Sequence, residues 1–493
     1  MKRSRAIMPD KHEKRPEGRM TAASRKTCSF KAMMRSVCLI GLIVLAQSAT
    51  AQSTAPVLKV SENGRFLVKS NGEPFFYLGD TAWDLFHRLD REEADFYLRN
   101  RAEKGFTVIQ AVVIAEVNGL TAPNAFGDLA FVDKDSSKPN EAYFAHVDWI
   151  VDKAASYGLF VGILPTWGRW LGDVDRGRRN ARPENNFFNE TNAREYGRFL
   201  GKRYAGKPVI WILGGDRPAD TTSAIWELMA LGIRDSVGES QLITYHPSGG
   251  LSSTRWFHAA PWLDFHMAQS GHSPQSTNYT MIEADYALEN PKPVMDSEPA
   301  YEYPPDALPP NRPVGALQVR RNAWWAVFAG AHGHTYGAHP IWQFYDDRRN
   351  PRWDVATPWR ESLDLPGATQ LIHLKRLILS RPYLTRIPDQ SLLLSEPPGG
   401  VARIQATRDG TPGSRDATYM LVYFPTYHRV EIDTSYIANE TIRVRWMDPR
   451  SGKWSPPSEH ANVAPGIFEP PSREQDEDWV LVVDDASKSY PPL

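Results

Sequence analysis

From about residue 58 onward, two apolar patterns alternate along the chain. One is a short unbroken apolar run closed by glycine or a polar residue. The other repeats its apolar positions at helical spacing. The first reads as a buried strand and the second as an amphipathic helix. Leu58 to Val68 alternates around Asn63-Gly64 and predicts a hairpin. Pro74 to Leu78 is the first strand run, ending in Gly79-Asp80-Thr81-Ala82-Trp83. In the helix that follows, Asp90 is the cap, Glu93 its partner three residues on, and Ala94, Tyr97 and Leu98 the apolar face. Further strands are predicted at Thr107–Ile114, Leu159–Leu164, Pro208–Leu213, Gln241–Tyr245, Trp262–Met267, Lys292–Met295 and Gly333–Gly337. Helices are predicted at His146–Tyr157, Ala193–Tyr204, Ala224–Ile233, Val319–Ala329 and Ala368–Leu379. Eight strand-like segments alternating with helices predict an α/β protein of the (β/α)8 TIM-barrel class. An open doubly wound sheet is the alternative. No Gly-x-Gly-x-x-Gly or Walker loop follows the first strand, which weighs against a nucleotide cofactor.

Beyond Pro382 the texture changes to short strands separated by Gly, Pro and Asp turns: Leu392–Leu394, Ala402–Ala406, Tyr419–Phe424, Val430–Ile432, Ile442–Met447 and Trp479–Val483. This predicts a small all-β sandwich. No exposed aromatic row is evident there, so the sandwich is expected to brace the barrel rather than bind a ligand. The expected organisation is a signal peptide with an N-terminal extension over 1–51, the barrel with its hairpin over 52–385, and the sandwich over 386–493.

The first segment alters the charge balance. Lys31 and Arg35 precede an apolar run from Val37 to Leu45, and Ala49-Thr50-Ala51 follows. That is the layout of a secretory signal, with cleavage expected after Ala51. The polar residues before Lys31 are foreign to a signal, so translation from Met20, Met33 or Met34 is an open alternative. The apolar run is too short for a stable membrane anchor. Of 57 Lys+Arg and 58 Asp+Glu, residues 1–36 hold 11 and 3; the remaining 46 basic and 55 acidic residues give a net charge of −9. An acidic exported chain, periplasmic or extracellular, is a poor nucleic-acid binder. Both cysteines, Cys28 and Cys38, lie in or before the signal, so the mature chain has no disulfide or thiolate metal site, and no lipobox precedes either.

The strand ends carry the chemistry. Asp80, Trp83, Trp167, Asp216, His246, Gln269, His272, Glu298, His334 and Trp342 all fall at or just beyond them. In an α/β barrel that is the catalytic face. Gly214-Gly215-Asp216-Arg217-Pro218 closes the fourth strand and Asp296-Ser297-Glu298-Pro299 the seventh. Glycoside hydrolysis needs two carboxyl groups across the scissile bond. Asp216 is therefore read as general acid/base and Glu298 as nucleophile of a retaining mechanism, with oxygens about 5–5.5 Å apart; about 6.5–9.5 Å would indicate inversion. Alone, Asp216 reads equally as a helix cap or a partner of Arg217. Asp80 is read as holding sugar hydroxyls or capping the first helix. Asp296 is expected to pair with Arg217, and Glu302 to lie behind or at the rim of the site. Trp83, Trp167 and Trp342 are candidate sugar platforms, whereas Trp149, Trp226, Trp324 and Trp325 lie on helices and are expected to pack. Arg217, His246, Gln269, His272 and His334 are substrate-binding candidates. No His-x-His or His-Glu-x-x-His stands on one helix, and His332-Gly333-His334 sits on a strand without matched carboxylates, so the histidines, His266 included, are expected to bond sugar hydroxyls or pack, and neither metal nor cofactor is expected.

These residues resemble the apiosidase-like glycoside hydrolases, whose C-terminal module is named for collagen binding. The resemblance rests on Gly79-Asp80-Thr81-Ala82-Trp83, Pro139-Asn140-Glu141-Ala142-Tyr143-Phe144, Leu164-Pro165-Thr166-Trp167-Gly168, Trp211 to Pro218, Thr244-Tyr245-His246-Pro247, Gln269-Ser270-Gly271-His272, Asp296-Ser297-Glu298-Pro299 and Gly333-His334-Thr335-Tyr336-Gly337. Trp446 to Trp454 and Asp478-Trp479-Val480-Leu481 resemble the C-terminal module. The resemblance implies a barrel that removes terminal apiose from the pectin side chain rhamnogalacturonan II, with the acid at Asp216 and the nucleophile at Glu298. An Asp acid departs from the wider superfamily, where a Glu after Asn is usual. Two other readings stand beside it: a non-catalytic extracellular carbohydrate- or matrix-binding protein, and a glycosidase of the same mechanism on another sugar. The expected partner is an oligosaccharide or polysaccharide.

Overall fold

The computed structural model describes residues 57–172, 186–305, 313–352, 355, 357–474 and 476–492. The expected signal peptide lies outside the described residues. Strands β1 (Leu58–Val60), β2 (Leu67–Lys69) and β3 (Pro74–Phe75) form a small antiparallel sheet. The predicted hairpin turn is present, with Gly64 at φ +68°.

The barrel comes next. Strands β4 (Tyr77–Thr81), β5 (Val108–Val112), β6 (Phe160–Leu164), β7 (Val209–Gly214) and β8 (Ile243–His246) run parallel in sequence order. A short strand, β9 (Leu251–Ser252), precedes β10 (His266–Gln269) and pairs with it antiparallel. Strands β11 (Val294–Asp296) and β12 (Gly333–Tyr336) lead back to β4 through parallel pairings. The nine-stranded sheet is nearly closed, and between β8 and β10 the seam is held by Asp264. Its N–H donates to the Ile243 carbonyl at 2.8 Å, and its carboxylate accepts from the Ile243 N–H at 2.6 Å.

Helices α1 (Leu85–Arg88), α2 (Arg91–Glu103), α3 (Glu141–Ser156), α4 (Ala193–Tyr204), α5 (Ser223–Val237), α6 (Thr254–Phe257), α7 (Tyr279–Tyr286), α8 (Ala316–Phe328), α9 (His339–Trp342) and α10 (Pro366–Leu379) follow the strands. The capping box at Asp90 and Glu93 is formed. The third helix starts five residues before the predicted His146, because Asn140 accepts from the Ala142 N–H and caps it there. Trp226, Trp324 and Trp325 are buried, and Trp149 is partly so.

After α10 the chain forms a six-stranded antiparallel sheet of β13 (Ile387–Pro388), β14 (Gln405–Arg408), β15 (Tyr419–Phe424), β17 (Thr441–Met447), β18 (Ser458–Ala461) and β20 (Trp479–Asp485). Two further strands, β16 (Val430–Ile432) and β19 (Gly466–Phe468), make a small second sheet. Between the two lies an apolar core that includes Met420, Val422, Phe424, Ile432 and Val483. Leu392 to Leu394 is not a strand: Asp389 caps a 3-10 turn at Gln390–Leu392 instead.

The other face of β15 and β20 packs on α8, and the contact is buried. Trp324 stacks on Tyr423 with ring centroids 5.8 Å apart. Arg320 donates to both carboxylate oxygens of Asp478 at 3.1 and 2.7 Å, and Arg381 to both of Asp484 at 2.8 Å each. The Trp325 indole donates to the Arg403 carbonyl at 2.8 Å. Such paired, planar, desolvated contacts fix geometry more than they add stability.

Candidate active site

Two glycines let β7 leave the sheet abruptly. Gly214 and Gly215 have φ of +94° and +112°, and Asp216 itself sits at φ +56°. A Cβ on Gly214 would lie 2.2 Å from the His246 carbonyl oxygen, and one on Gly215 2.8 Å from the Trp167 ring. Only glycine allows this approach. Arg217 reaches back, its guanidinium donating to the Asp216 carbonyl at 2.9 Å. The Tyr245 hydroxyl donates to the Arg217 carbonyl at 3.0 Å. Asp216 is thereby turned into the mouth of the barrel, half-buried, with its carboxyl hydrogen-bonded to the Gln269 side chain.

Glu298 enters from the end of β11 and is 4% exposed. Its two oxygens meet two histidines: His246 Nε2 at 3.0 Å and His272 Nε2 at 3.1 Å. His246 is oriented by Nδ1, which lies 2.9 Å from the Pro247 carbonyl. The Tyr301 hydroxyl joins Glu298 and also receives the Trp83 indole N–H at 3.1 Å. The Trp83 ring stands edge-on to Trp167 and to His246, at 5.2 and 5.4 Å between centroids. Trp83, Trp167, Trp342 and Glu116 line one cleft, which Arg352 and Asp84 border.

The two acids are pushed in opposite directions. Burial raises the pKa of Asp216, and the negative charge of Glu298 raises it further. Burial acts the same way on Glu298, but the bonds and charges of His246 and His272 override it and hold the carboxyl well below the usual range. Against their own burial, both histidines are raised in return by Glu298, and both sense the charge of Asp216. One carboxyl is thus raised and the other lowered, the division of labour that acid-assisted displacement requires.

Several expected residues lie elsewhere. Asp80 does not reach the cavity: it turns toward α2, where Arg101 Nε meets it at 2.6 Å and Tyr97 donates at 2.5 Å, and both Asp80 and Arg101 are fully buried. Nor does it cap the first helix, whose N-cap is Asp84. His334 pairs in register with Leu78 and Asp296 on the face that looks to the helices, so it cannot line the pocket. Burial holds its pKa down to about 3, leaving it neutral. Asp296 does not pair with Arg217; it accepts from the Ser270 hydroxyl at 2.6 Å and the Asn278 amide at 2.9 Å. Glu302 is buried behind the site, taking the Tyr336 hydroxyl at 2.7 Å and the Gly367 N–H of α10 at 3.0 Å. His266 and His332 bond Ser253 and the Val294 carbonyl. No cluster of His, Cys, Asp or Glu that could hold a metal occurs among the described residues.

Two residues enter the site unannounced. Tyr301 stands three positions past Glu298, and Glu116 lies near the start of the loop out of β5, with Arg217 Nη2 at 3.6 Å from its Oε1. Glu116 is a strand-end acid like Asp216, so the rule that found one points to the other. Embedded in a long polar loop, it carries no glycine turn to mark it.

A parallel barrel with two carboxyl groups at its carboxyl end, one raised and one lowered in pKa and each near enough for its charge to matter to the other, is an arrangement suited to glycoside hydrolysis. Comparison with known proteins places the chain more closely. Residues 61–385 match the family described as "Apiosidase-like, catalytic domain", and the chain belongs to that family. Residues 387–484 match the "Putative collagen-binding domain of a collagenase". A glycoside hydrolase family 5 protein from Bacteroides vulgatus ATCC 8482 is 32% identical, with 88% of this chain and 94% of that one covered and a TM-score of 0.79. A second solved structure, titled only "Glycoside hydrolase", is 34% identical over 88% of this chain and 98% of its own, with a TM-score of 0.78. A third, also from Bacteroides vulgatus, shares the fold at 14% identity, a TM-score of 0.60, and coverage of 88% and 83%. No curated protein matches the chain.

Proposed function

We propose that this glycoside hydrolase is an exported, retaining exo-enzyme that removes apiose from a pectin side chain of the rhamnogalacturonan II type. The observation that carries the mechanism is a pair of strand-end carboxyl groups linked through His246, which meets Glu298 at 3.0 Å and feels the charge of Asp216, with the two acids pushed apart in pKa. In the first step a Glu298 oxygen bonds to the anomeric carbon as the glycosidic C–O bond breaks, and the Asp216 proton passes to the leaving oxygen. In the second, Asp216 takes a proton from water, whose oxygen displaces Glu298 from the sugar. His246, His272 and Tyr301 keep Glu298 ionised and aimed. Trp83, Trp167 and Trp342 wall the cavity against water and offer faces to a sugar ring. The choice of apiose rests on the family description, and export on the basic, apolar and small-residue layout of residues 31–51.

The deciding experiment incubates the purified protein with aryl and methyl apiosides, other aryl glycosides and rhamnogalacturonan II oligosaccharides. Proton NMR then follows the first anomer released. Release of apiose with its starting configuration is expected. Inverted product removes the retaining assignment, and turnover of a different glycoside alone removes apiose.

A further inference from the structure

The cleft walled by Trp83, Trp167 and Trp342 holds polar groups that the protein itself leaves unspent. It is narrow, a space of about 10 Å³, room for one water-sized group. Of the charged side chains bordering it, Asp84 and Arg352 are bonded to each other at 2.7 Å. Glu116, half-buried, differs from them. Among the described residues no hydrogen bond reaches its carboxylate, and its one ion pair, with Arg217 Nη2, stays at 3.6 Å. The Arg217 Nε–H and the Trp167 indole N–H are buried and also lack a partner among the described residues. The Arg217 contact brings Nε, part of the same planar group, alongside the Glu116 carboxylate. Buried N–H groups without an acceptor are costly and rare unless a ligand or water completes them.

This niche adjoins the catalytic hollow. A Cβ on Gly215, the residue before Asp216, would lie 2.8 Å from the Trp167 ring, and one on Gly168 2.9 Å from the Arg217 Cβ. On the other side, Trp83 donates to Tyr301 and stands edge-on to His246, the two groups that meet Glu298. An unbonded carboxylate beside unpaired N–H groups calls for a ligand atom that donates and accepts at once, and a hydroxyl does both. The space takes a hydroxyl and not a ring, so the ring lies at its mouth among the indoles. The sugar that is cut off can end in such a niche, whereas the polymer left behind has to run outward.

We propose that Glu116 is a specificity-determining residue that accepts a hydrogen bond from one hydroxyl of the released sugar, with Arg217 or Trp167 donating to the same oxygen. This rests on the reading of the protein as an exo-glycosidase. A sugar without that hydroxyl leaves a carboxylate and buried N–H groups unpaired in a site shielded from water, and such sites reject the deoxy analogue steeply.

The test is a cycle between protein and sugar. It measures kcat/KM for the unaltered protein, Glu116→Gln and Glu116→Ala on 4-nitrophenyl apioside and its monodeoxy counterparts. The differing reactivity of the deoxy sugars cancels in the ratio. One deoxygenation is expected to cost the unaltered protein roughly 10- to 100-fold more than it costs Glu116→Ala. Glu116→Gln, the same size and still an acceptor, should fall between them. Penalties equal in all three proteins overturn the proposal. So does a penalty that follows residue 116 only when the hydroxyl is taken from the leaving alcohol, as in trans-2-hydroxycyclohexyl against cyclohexyl apioside. Should a different sugar be the one released, the same cycle on its 4-nitrophenyl glycosides separates a wrong sugar from an absent contact. A second readout needs no turnover. The indole N–H NMR signal of Trp167, assigned by its loss in Trp167→Phe, is titrated with the free sugar that the glycoside screen releases, or with apiose if it releases none. The signal is expected to shift, with the half-saturating concentration about tenfold higher in Glu116→Ala. No shift, or the same curve in both proteins, overturns the proposal whether or not any glycoside is cleaved.

Discussion

Asp80 and Asp216 begin from the same local sequence, a glycine followed by an aspartate at the carboxyl end of a parallel barrel strand. Their fates differ because of the face each takes. Asp80 stays in the β-strand register, turns to the helix layer and is sealed against Arg101. Asp216 leaves the register through two left-handed glycines and turns into the mouth of the barrel, where its partners are a neutral amide and an opposing carboxylate. A strand-end acid is therefore structural or chemical according to the turn after it. A cation on the neighbouring helix finishes the first case, and a second acid across the hollow finishes the other.

The comparison can be broken in order of expected effect. Glu298→Gln removes the proposed nucleophile, and kcat on the cognate glycoside should fall at least about 10⁴-fold with the melting curve preserved. Asp216→Asn should lower kcat/KM for substrates with poor leaving groups by about 10²- to 10⁴-fold while sparing those that leave unaided. The same Asp→Asn change at Asp80 should do the reverse. It leaves Arg101 buried without its counter-charge and should cost about 3–5 kcal/mol in denaturant unfolding, with activity per folded molecule little altered. If Asp80→Asn instead abolishes turnover at full stability, the distinction between the two acids fails. The smallest effect sharpens rather than breaks it. The pH profile should be a bell whose acid limb lies below the ordinary glutamate range, because a depressed Glu298 stays ionised and active until pH falls through its lowered pKa. Its alkaline limb should lie above the ordinary aspartate range, because a raised Asp216 keeps its proton longer. Replacing His272 by Asn removes one of the groups holding Glu298 down, so the acid limb should move up while the alkaline limb moves less.

The barrel was legible because buried parallel strands are short, apolar and unbroken, and each is followed by a helix of clear period. Boundaries drifted where caps decide them, as at Asn140, and α6 and α7 escaped because they are short and weakly patterned. Asp216, Glu298, His246, Gln269 and His272 were legible as strand-end residues, and the structure brings them together: Glu298 meets His246 and His272, and Asp216 meets Gln269. Asp80 and His334 were misplaced because the end of a strand says nothing of which face a side chain takes. Asp296 and Glu298 show the limit most sharply. Spacing by two puts them on one face of a strand, yet β11 stops at Asp296 and the chain turns Glu298 the other way. Tyr301 joins the site through tertiary contacts that no local pattern carries, and Glu116 from a strand-end position that no glycine turn marks.

One feature of the C-terminal module bears on how the chain can be handled. A carbohydrate-binding appendage on a flexible tether can be trimmed, exchanged or left to roam over its polymer. Here Arg320 and Arg381 are committed to Asp478 and Asp484 beneath the surface, and Trp324 lies flat on Tyr423. A gene stopped after Arg381 would strand two guanidinium groups and an indole in water beside a raw apolar wall. Catalysis and sandwich should therefore be lost together on heating, in one transition, and the smallest piece that works should hold barrel and sandwich together.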